Sequence, residues 1–334
     1  MSEAIGVGVI GMGFMGRTHV RSYAEAARTG LPNRLVALCD RNLERLTGST
    51  ERGTFETGDE GPLFDPQETR VVSDPRELLV LEEVDVVSIC TPTDSHVDLA
   101  IQALEAGKHV LVEKPVALVA SEVERLAAAA ANSDRVCMPA MCIRFWPGWS
   151  WLRDAVRDRT YGAVTSAVFR RLAPRPAWGR EFYEDTARSG GALFDLHVHD
   201  ADFVRCLFGE PDDVTSTGTE HHVTTLYHYA NGPAHVVAEG GWDHADGFPF
   251  HMGYTVLFEN ATASWSIERD PALHIAVNGE DKAVRDVQRG TGYDFEIRHL
   301  LAVLRGEEEL SATIEEAVGL TRMLERERAS LAGR

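Results

Sequence analysis

Hydrophobic and polar positions follow two different patterns along the chain. In the first part, short apolar runs alternate with segments of helical periodicity. The apolar runs are Ile5–Ile10, Arg34–Cys39, Val84–Ile89, His109–Val112 and Cys137–Ala140. Strands that alternate with helices in this way predict a parallel sheet with helices on both faces. Ligands of such sheets bind beyond the carboxyl ends of the strands, so the residues that follow each run are candidates for a site.

From about residue 141, apolar and polar residues alternate with a period of two, which predicts strands of an antiparallel sheet. The predicted strands are Ala163–Arg170, His222–Tyr229, His235–Glu239, Tyr254–Phe258, Ala263–Ile267 and His274–Val277. Helical patterns follow over Tyr293–Leu304 and Ile314–Leu331. We therefore predict an α/β domain over residues 1–140. Residues 141–334 are predicted to form an α+β domain that ends in helices.

Size and charge narrow the function class. A chain of 334 residues is long enough for two domains. Its formal net charge of −19 disfavours a nucleic acid or an anionic membrane as partner, because phosphates would be repelled. No apolar run has the pattern expected of a signal peptide or the length expected of a membrane span. The five cysteines form no C-x-x-C pair, which favours buried free thiols and a cytoplasmic location.

The first strand leads into a glycine motif that indicates a dinucleotide site. Gly11-x-Gly13-x-x-Gly16 follows Ile5–Ile10 and opens a helical segment, as the Rossmann fingerprint requires. The second strand ends in Asp40, a residue suited to accept hydrogen bonds from the adenosine ribose and to repel a 2′-phosphate. We therefore predict NAD as the cofactor. NADP stays open, because Arg41 could pair with a 2′-phosphate.

Two later strand ends, Thr91–Thr93 and Glu113–Pro115, converge on the same edge of the predicted sheet as Asp40. The segment Thr47–Gln67 should carry a helix in this pattern but is rich in Gly, Thr and acidic residues, so we predict an acidic, mobile loop near the adenine, with its role left open. The residues expected to contact the cofactor are Gly11, Gly13, Phe14, Met15, Gly16, Asp40, Arg41, Thr91, Pro92, Thr93, His96, Glu113 and Lys114.

The stretch Gly190–Gly209, GGALFDLHVHDADFVRCLFG, carries polar titratable residues in an apolar context. Asp195, His199 and Asp202 fall at i, i+4 and i+7, so a continuous helix would place them on one stripe. We interpret this stripe as half of an active site whose other half is Lys114. Asp202 lies deepest along the helix, and we expect it to satisfy backbone or arginine groups rather than touch substrate.

His197 and His199 also resemble the H-x-H pair of zinc hydrolases. On a helix, however, His197 lies about 200° around from Asp195, so no catalytic metal is predicted. We expect His197 to be a residue of helix packing or of the substrate edge. Further substrate candidates are Trp178 and Trp242, whose rings could cover the C–H face of a sugar, and Arg144, which could bind an acidic group.

Four blocks together resemble the Gfo/Idh/MocA oxidoreductases, the family of glucose-fructose oxidoreductase and inositol dehydrogenase. The blocks are VGVIGMGFMGRTH, CDR, SICTPTDSHVDLAIQALEAGKHVLVEKP and GGALFDLHVHDADF. The resemblance implies that residues 1–140 bind the dinucleotide and that residues 141–334 bind substrate. It also implies a large open sheet in this second domain, with helices on one face and self-association through the other. It implies catalysis by Lys114, Asp195 and His199, and often a cis peptide before Pro115.

The expected reaction moves a hydride between a nicotinamide and a secondary alcohol or ketone of a sugar, cyclitol or related polyol. His199 suits the role of base, because an imidazole titrates near neutrality. Lys114 would stabilise the developing alkoxide, and Asp195 would orient the hydroxyl or the imidazole. An NAD-dependent glycosidase and a non-catalytic nucleotide or sugar sensor remain alternatives. A homodimer or homotetramer is expected.

Overall fold

The computed structural model describes residues 4–46, 63–176, 179–284 and 287–333. The chain forms two compact units, each built on one sheet. The first comprises Met1–Met141 and Tyr293–Val318, and the second comprises Cys142–Gly292 and Gly319–Arg334. No helix among the described residues combines the length and apolar character that crossing a membrane requires.

The first unit contains a six-stranded parallel sheet in the order β3-β2-β1-β4-β5-β6. Its strands are β1 (Ile5–Ile10), β2 (Asn33–Cys39), β3 (Arg70–Val72), β4 (Val86–Ile89), β5 (His109–Val112) and β6 (Cys137–Pro139). The strand order reverses beside β1, so the loops after β1 and β4 flank the point where a doubly wound sheet binds its ligand. The parallel sheet predicted from the alternating pattern is confirmed.

Helices and short 3-10 turns connect these strands. The helices are α1 (Phe14–Arg28), α2 (Pro75–Leu79), α3 (His96–Glu105) and α4 (Ala120–Ala131), and the 3-10 turns are Leu43–Leu46 and Thr93–Ser95. The strands are buried on both faces, as the runs of Val, Ile and Leu in β1, β4 and β5 require. The predicted loop Thr47–Gln67 lies outside the described residues except for its last five positions.

The C-terminal helices were predicted to belong wholly to the second domain, and the structure differs. Helix α10 (Gly292–Leu304) and the start of α11 (Ile314–Ala332) pack with the first unit. Ser22 Oγ in α1 donates to Asp294 Oδ1 at 2.8 Å. Ile314 and Ala317 are buried in the same hydrophobic core as the strands of the parallel sheet. Residues far apart in sequence complete this core, and such packing leaves no local signal.

The second unit contains an eight-stranded sheet in the order β14-β13-β12-β11-β7-β10-β9-β8. Its strands are β7 (Val164–Pro174), β8 (Asp213–Thr219), β9 (His222–His228), β10 (His235–His244), β11 (His251–Phe258), β12 (Thr262–Ser266), β13 (Leu273–Val277) and β14 (Glu280–Val284). All neighbouring strands are antiparallel except the central pair β7 and β10, which run parallel. The predicted open, mostly antiparallel sheet is confirmed.

Helices of the second unit pack on one face of this sheet. They are α5 (Trp149–Arg157), α6 (Arg180–Glu184), α7 (Thr186–Ser189), α8 (Gly191–Asp195), α9 (Val198–Phe208) and the later part of α11, and a 3-10 turn spans Cys142–Phe145. Along β9, Val223, Thr225 and Tyr227 are buried while their neighbours are exposed or half-buried. The alternation therefore separates a covered face from an open face.

An aromatic cluster fills the covered side. Trp149 is fully buried and packs against Phe169, Phe203, Tyr254 and Trp265, with ring centroids 5.0 to 6.0 Å apart. The tryptophans of the described part of this unit thus serve chiefly as core residues. Two strands, β8 and β14, were absent from the prediction, because DVTSTGT and EDKAV lack alternating apolar residues.

Candidate functional site

The glycine motif forms the turn between β1 and α1. Gly11 adopts a φ of +91°, which only glycine accepts readily, and its N–H donates to Cys39 O at 2.8 Å. A Cβ on Gly16 would overlap the carbonyl oxygen of Gly11, so helix and strand approach this closely only without a side chain. A Cβ on Gly13, by contrast, would meet no atom within 4 Å. The open space beside Gly13 fits a phosphate group that approaches the backbone.

Asp40, directly after β2, is buried beside this turn. Its Oδ2 accepts a hydrogen bond from Met12 N at 2.7 Å, and its Oδ1 accepts one from Asn42 N at 2.8 Å. The carboxylate therefore ties the glycine turn to the end of β2 and keeps a lone pair on each oxygen for a further donor. Phe14 and Met15 are half-buried in the first turn of α1, and Arg41 is exposed.

The loop after β4 places Thr91 half-buried, Pro92 exposed and Thr93 buried. His96 was expected to contact the cofactor, but its side chain is buried and bridges two loops. Nε2 lies 2.7 Å from Thr91 O, and Nδ1 lies 2.9 Å from Pro115 O. Burial lowers the pKa of the imidazole, against the effect of these two hydrogen bonds. The structure thus makes His96 a positioning residue that joins the loops after β4 and β5.

The loop after β5 presents Lys114. The Lys114–Pro115 peptide is cis, and the lysine side chain is half-buried. Glu113, also expected to contact the cofactor, is instead buried with His19 Nε2 3.1 Å from its Oε1, and its Oε2 accepts from Lys114 N at 3.0 Å. Burial raises the pKa of this carboxyl, but the hydrogen bond from His19 and the nearby positive groups outweigh it and hold the pKa below its ordinary value.

Sequence reasoning missed His19, which lies one turn into α1. Besides its contact with Glu113, its Nδ1 lies 3.5 Å from Cys90 Sγ, at the end of β4. His19 thus links the helix of the glycine motif to the loops after β4 and β5. It falls within the block VGVIGMGFMGRTH, yet nothing in the local pattern distinguishes it from a surface histidine.

These residues fit a nicotinamide dinucleotide. The turn offers open backbone at Gly13 and the N-terminus of α1 for a pyrophosphate, and Asp40 offers acceptor capacity for a ribose. Buried contacts among His19, His96 and Glu113 hold the neighbouring loops in place. The predicted convergence of three strand ends at one edge of the sheet is therefore present in the first unit.

In the second unit, the stretch Gly190–Gly209 is not one continuous helix. Helix α8 ends at Asp195, and α9 begins at Val198. Between them, His197 N donates to Ala192 O at 2.8 Å, and Asp200 N donates to His197 O at 3.0 Å, instead of a regular series of i to i−4 bonds. Asp195 and His199 therefore belong to different helices, and the stripe expected of a single helix is interrupted. Asp195 is half-buried, and His199 is 9% exposed.

Asp202 has the structural role that was expected for it. Arg144 Nε lies 2.7 Å from Asp202 Oδ2, and Nη2 lies 2.6 Å from Oδ1, in a buried bidentate pair. The prediction that Arg144 binds substrate is therefore wrong, since its guanidinium is buried in the ion pair with Asp202. A second buried pair joins Arg171 to Asp200 at 2.9 and 3.0 Å.

His197 is fully buried, which supports helix packing and corrects the alternative of a substrate-edge residue. Its Nε2 lies 2.8 Å from Glu327 Oε2 and 3.2 Å from Tyr227 Oη. Trp242 is likewise buried rather than open to substrate, and its Nε1 donates to His221 Nδ1 at 3.1 Å. Trp178 lies outside the described residues.

Comparisons with known proteins agree with this architecture. Residues 5–141 match the family model described as "Oxidoreductase family, NAD-binding Rossmann fold", and residues 149–282 match the "GFO/IDH/MocA C-terminal domain". Myo-inositol 2-dehydrogenase of Thermotoga maritima is 30% identical over 207 residues, 61% of this chain and 55% of that protein. UDP-N-acetylglucosamine 3-dehydrogenase of Acidithiobacillus ferrooxidans is 31% identical over 63% of this chain and 57% of that protein. The matched segments thus span little more than half the length of these relatives.

Solved structures show the same fold over the whole chain. Levoglucosan dehydrogenase in complex with NADH and levoglucosan superposes with a TM-score of 0.79 at 21% identity, over 99% of this chain and 98% of that one. The two family models follow one another along the sequence and together match most of it. The chain therefore belongs to the Gfo/Idh/MocA family of oxidoreductases.

Proposed function

We propose that the protein is an NAD-dependent dehydrogenase or reductase that acts on a secondary alcohol or ketone of a sugar, cyclitol or related polyol. The observation that carries the proposal is the glycine turn, where open backbone at Gly13 lies beside the buried carboxylate of Asp40. The names of the relatives, which are inositol and sugar dehydrogenases, support the substrate class.

We assign the reaction to Lys114, Asp195 and His199. When bound, the nicotinamide takes or supplies the hydride. His199 removes the hydroxyl proton in oxidation and returns it in reduction. The ammonium of Lys114 donates a hydrogen bond to the reacting oxygen and so stabilises negative charge there. Asp195 orients the substrate hydroxyl or the imidazole of His199.

We propose NAD rather than NADP as the preferred cofactor. Asp40 is buried and held by the backbone of Met12 and Asn42, so a 2′-phosphate would meet a carboxylate with little freedom to move away. Like charges at such close range disfavour binding. The side chain of Arg41 is exposed, and no contact among the described residues directs it to a phosphate. The remaining cofactor residues are the glycine turn, Phe14, Met15 and Thr91–Thr93.

Two other functions are less well supported. An NAD-dependent glycosidase would use the same cofactor, but the relatives compared above are named as dehydrogenases. A non-catalytic sensor would have no need for Lys114 or His199, and both are present. Release of nitrophenol from a nitrophenyl glycoside without net NADH would favour the glycosidase.

A panel of polyols, ketoses and aldoses with NAD⁺ and with NADP⁺, followed at the NADH absorbance band, tests the proposal. Lys114→Ala and His199→Ala should each lower turnover by about 10²- to 10⁴-fold while NADH fluorescence still reports binding. Lys282→Ala, in the exposed strand β14, is the matched control and should keep wild-type rates. Near-normal rates in both active-site variants on a confirmed substrate would refute the assignment.

We also propose a homodimer or homotetramer in the cytoplasm. The open face of the eight-stranded sheet supports self-association, since helices cover only the other face. It includes Thr217, Thr224 and Val237 beside the Arg170–Glu239 ion pair. All five cysteines are free thiols, which suits a reducing compartment. Light scattering coupled to size-exclusion chromatography measures the molecular mass, and a monomer at micromolar concentration would overturn the oligomer.

A further inference from the structure

Three potential metal ligands meet at one edge of the open face of the eight-stranded sheet. His222 is the first residue of β9, and Asp243 and His244 are the last two residues of β10. One ligand atom from each of the three side chains lies within 4.8 Å of the other two. Among the described residues, these three form the group of His, Cys, Asp or Glu side chains that could hold a metal ion.

Backbone irregularity brings the three side chains together. His222 pairs with Gly241 across the two strands, and the register between β10 and β7 shifts between Gly241 and His244. In a regular strand, the consecutive residues Asp243 and His244 would point to opposite faces. A bulge at this point re-aims a side chain, which lets both contribute to one cluster.

Gly241 makes room for the imidazole of His222. A Cβ on Gly241 would lie 2.6 Å from Cγ and 2.7 Å from Nδ1 of that ring. The absence of a side chain at Gly241 thus leaves space for the imidazole on the surface of the sheet. An alanine at this position would displace the ring by several tenths of an ångström at least.

The contact of His222 with Glu239 is of the kind that a metal-bound histidine makes. Nδ1 lies 2.7 Å from Asp243 Oδ1, and Nε2 lies 3.2 Å from Glu239 Oε1. The other oxygen of Glu239 accepts from Arg170 Nε at 2.7 Å. Ligand histidines commonly donate their second N–H to a carboxylate, which orients the ring and raises its basicity. Glu239, held by Arg170, is placed to be that carboxylate.

His244 supplies the second imidazole. Its ring stacks on Phe248 with centroids 4.1 Å apart and lies 5.5 Å from the ring of His222. Its Nε2 is buried and has no hydrogen-bond partner in the described protein. Buried polar atoms are normally satisfied, so this nitrogen has the capacity to bind an ion.

We propose that His222, Asp243 and His244 bind a zinc ion, with Glu239 as the carboxylate that positions His222. Two imidazoles and a carboxylate suit this borderline ion, and a fourth position remains for water. Ligand atoms around tetrahedral zinc lie roughly 3.3–3.6 Å apart, given bond lengths of about 2.0–2.2 Å. The side chains of His222 and Asp243 are 29% and 46% exposed, so they can adjust by this amount.

The proposed zinc ligands include none of the residues assigned to hydride transfer. Zinc here would replace the direct contact between His222 and Asp243 and would link the start of β9 to the end of β10. The ion would therefore act on the sheet of the second unit, and the proposal stands whether or not the dehydrogenase assignment is correct.

Metal titration of the full chain, without a histidine tag and after treatment with a chelator, tests the proposal. Zinc is measured by equilibrium dialysis, and Co²⁺ serves as a visible probe whose absorption strengthens in four-coordinate nitrogen and oxygen sites. One equivalent per chain should bind. His222→Ala and His244→Ala should each weaken binding more than about tenfold, and Glu239→Gln should weaken it by about 10–100-fold.

Two further variants separate a site from general histidine affinity. His274→Ala removes another histidine of the same sheet, one that pairs with Asp281 at 3.1 Å, and should bind zinc as the wild type does. Gly241→Ala keeps every ligand but should weaken binding by disturbing the ring of His222. Circular dichroism checks that each variant is folded. Failure of the wild type to bind at saturation, or equal binding by folded His222→Ala and His244→Ala, overturns the proposal.

Discussion

Glu113 Oε1 lies 3.1 Å from His19 Nε2, although 94 residues separate them in the sequence. Both side chains are buried, and the other carboxylate oxygen of Glu113 accepts the backbone N–H of Lys114. The pair thus fixes the backbone next to the proposed catalytic lysine to the helix of the glycine turn. Loss of either side chain is therefore expected to disturb the position of Lys114, although neither side chain needs to contact substrate.

Glu113→Gln should make stability less dependent on acid pH. The pKa of Glu113 is lower in the folded protein than its ordinary value, so this carboxylate contributes stability above about pH 4.3–4.5, which is lost as the pH falls through the folded pKa. Unfolding by urea between pH 5 and 3 should show a shallower loss in the variant. Glu105→Gln, on the exposed side of α3, is the control. An identical slope for wild type and Glu113→Gln would contradict the prediction.

Alanine at two glycines of the same turn should affect two different properties, stability and NADH affinity. Gly16→Ala places a methyl group into the carbonyl of Gly11 and should lower the free energy of unfolding by about 1–3 kcal/mol. Gly13→Ala faces open space at a φ of −69°, so stability should change little. NADH affinity of Gly13→Ala, however, should fall more than about tenfold, about 1.4 kcal/mol, because the methyl group occupies the phosphate position.

Thermal unfolding and NADH titration measure these two quantities separately. The reverse result, with Gly13→Ala unstable and Gly16→Ala impaired only in NADH binding, would show that Gly13 packs against the protein and that Gly16 faces the cofactor.

The two histidines of HVH should separate stability from catalysis. His197→Ala removes a donor to the buried carboxylate of Glu327, and the lost hydrogen bond should cost about 1–3 kcal/mol. His199→Ala should lower turnover by about 10²- to 10⁴-fold at temperatures where the variant is folded. Calorimetry and rates measured well below the melting temperature distinguish the two. A full loss of turnover in folded His197→Ala would mean that this residue has a direct role.

Removing Asp202 should be costly. Its pair with Arg144 is 4% and 2% exposed, so Asp202→Ala leaves a buried guanidinium without its carboxylate, at a cost of about 3–5 kcal/mol. Asp98→Ala breaks an Arg–Asp pair that is 49% and 63% exposed and should leave stability nearly unchanged. Denaturant titration of both variants gives the comparison. Equal effects would show that Asp202 and Arg144 are solvated in the working protein.

The features that were predicted correctly have local signals. Gly11, Gly13 and Gly16 each answer a requirement of one turn, and strands β1, β4 and β5 are apolar runs bounded by turn residues. The antiparallel strands with alternating patterns were found, whereas β8 was missed because its threonines and serine show no apolar period. A local pattern predicts the structure correctly where the residues that determine burial lie within a few positions of one another in the sequence.

The features that were missed depend on distant partners. The break between α8 and α9 occurs at Leu196 and His197, with neither proline nor glycine to mark it. His197 is held by Glu327, 130 residues away, and Arg144 by Asp202. The sequence alone does not distinguish an arginine or histidine that is buried in a structural ion pair from one that binds substrate, because the residue type suits both roles.

The parallel pairing of β7 with β10 affects how the second sheet forms. The pairs β8–β9, β11–β12, β12–β13 and β13–β14 join neighbours in sequence and close short loops. β7 can pair with β10 only after the chain between Pro174 and His235 has become compact. This part of the chain contains α6 to α9. Contacts between distant segments form slowly, because more chain entropy is lost before they are made. We therefore expect two separately formed ribbons to merge late around β7 as the sheet folds.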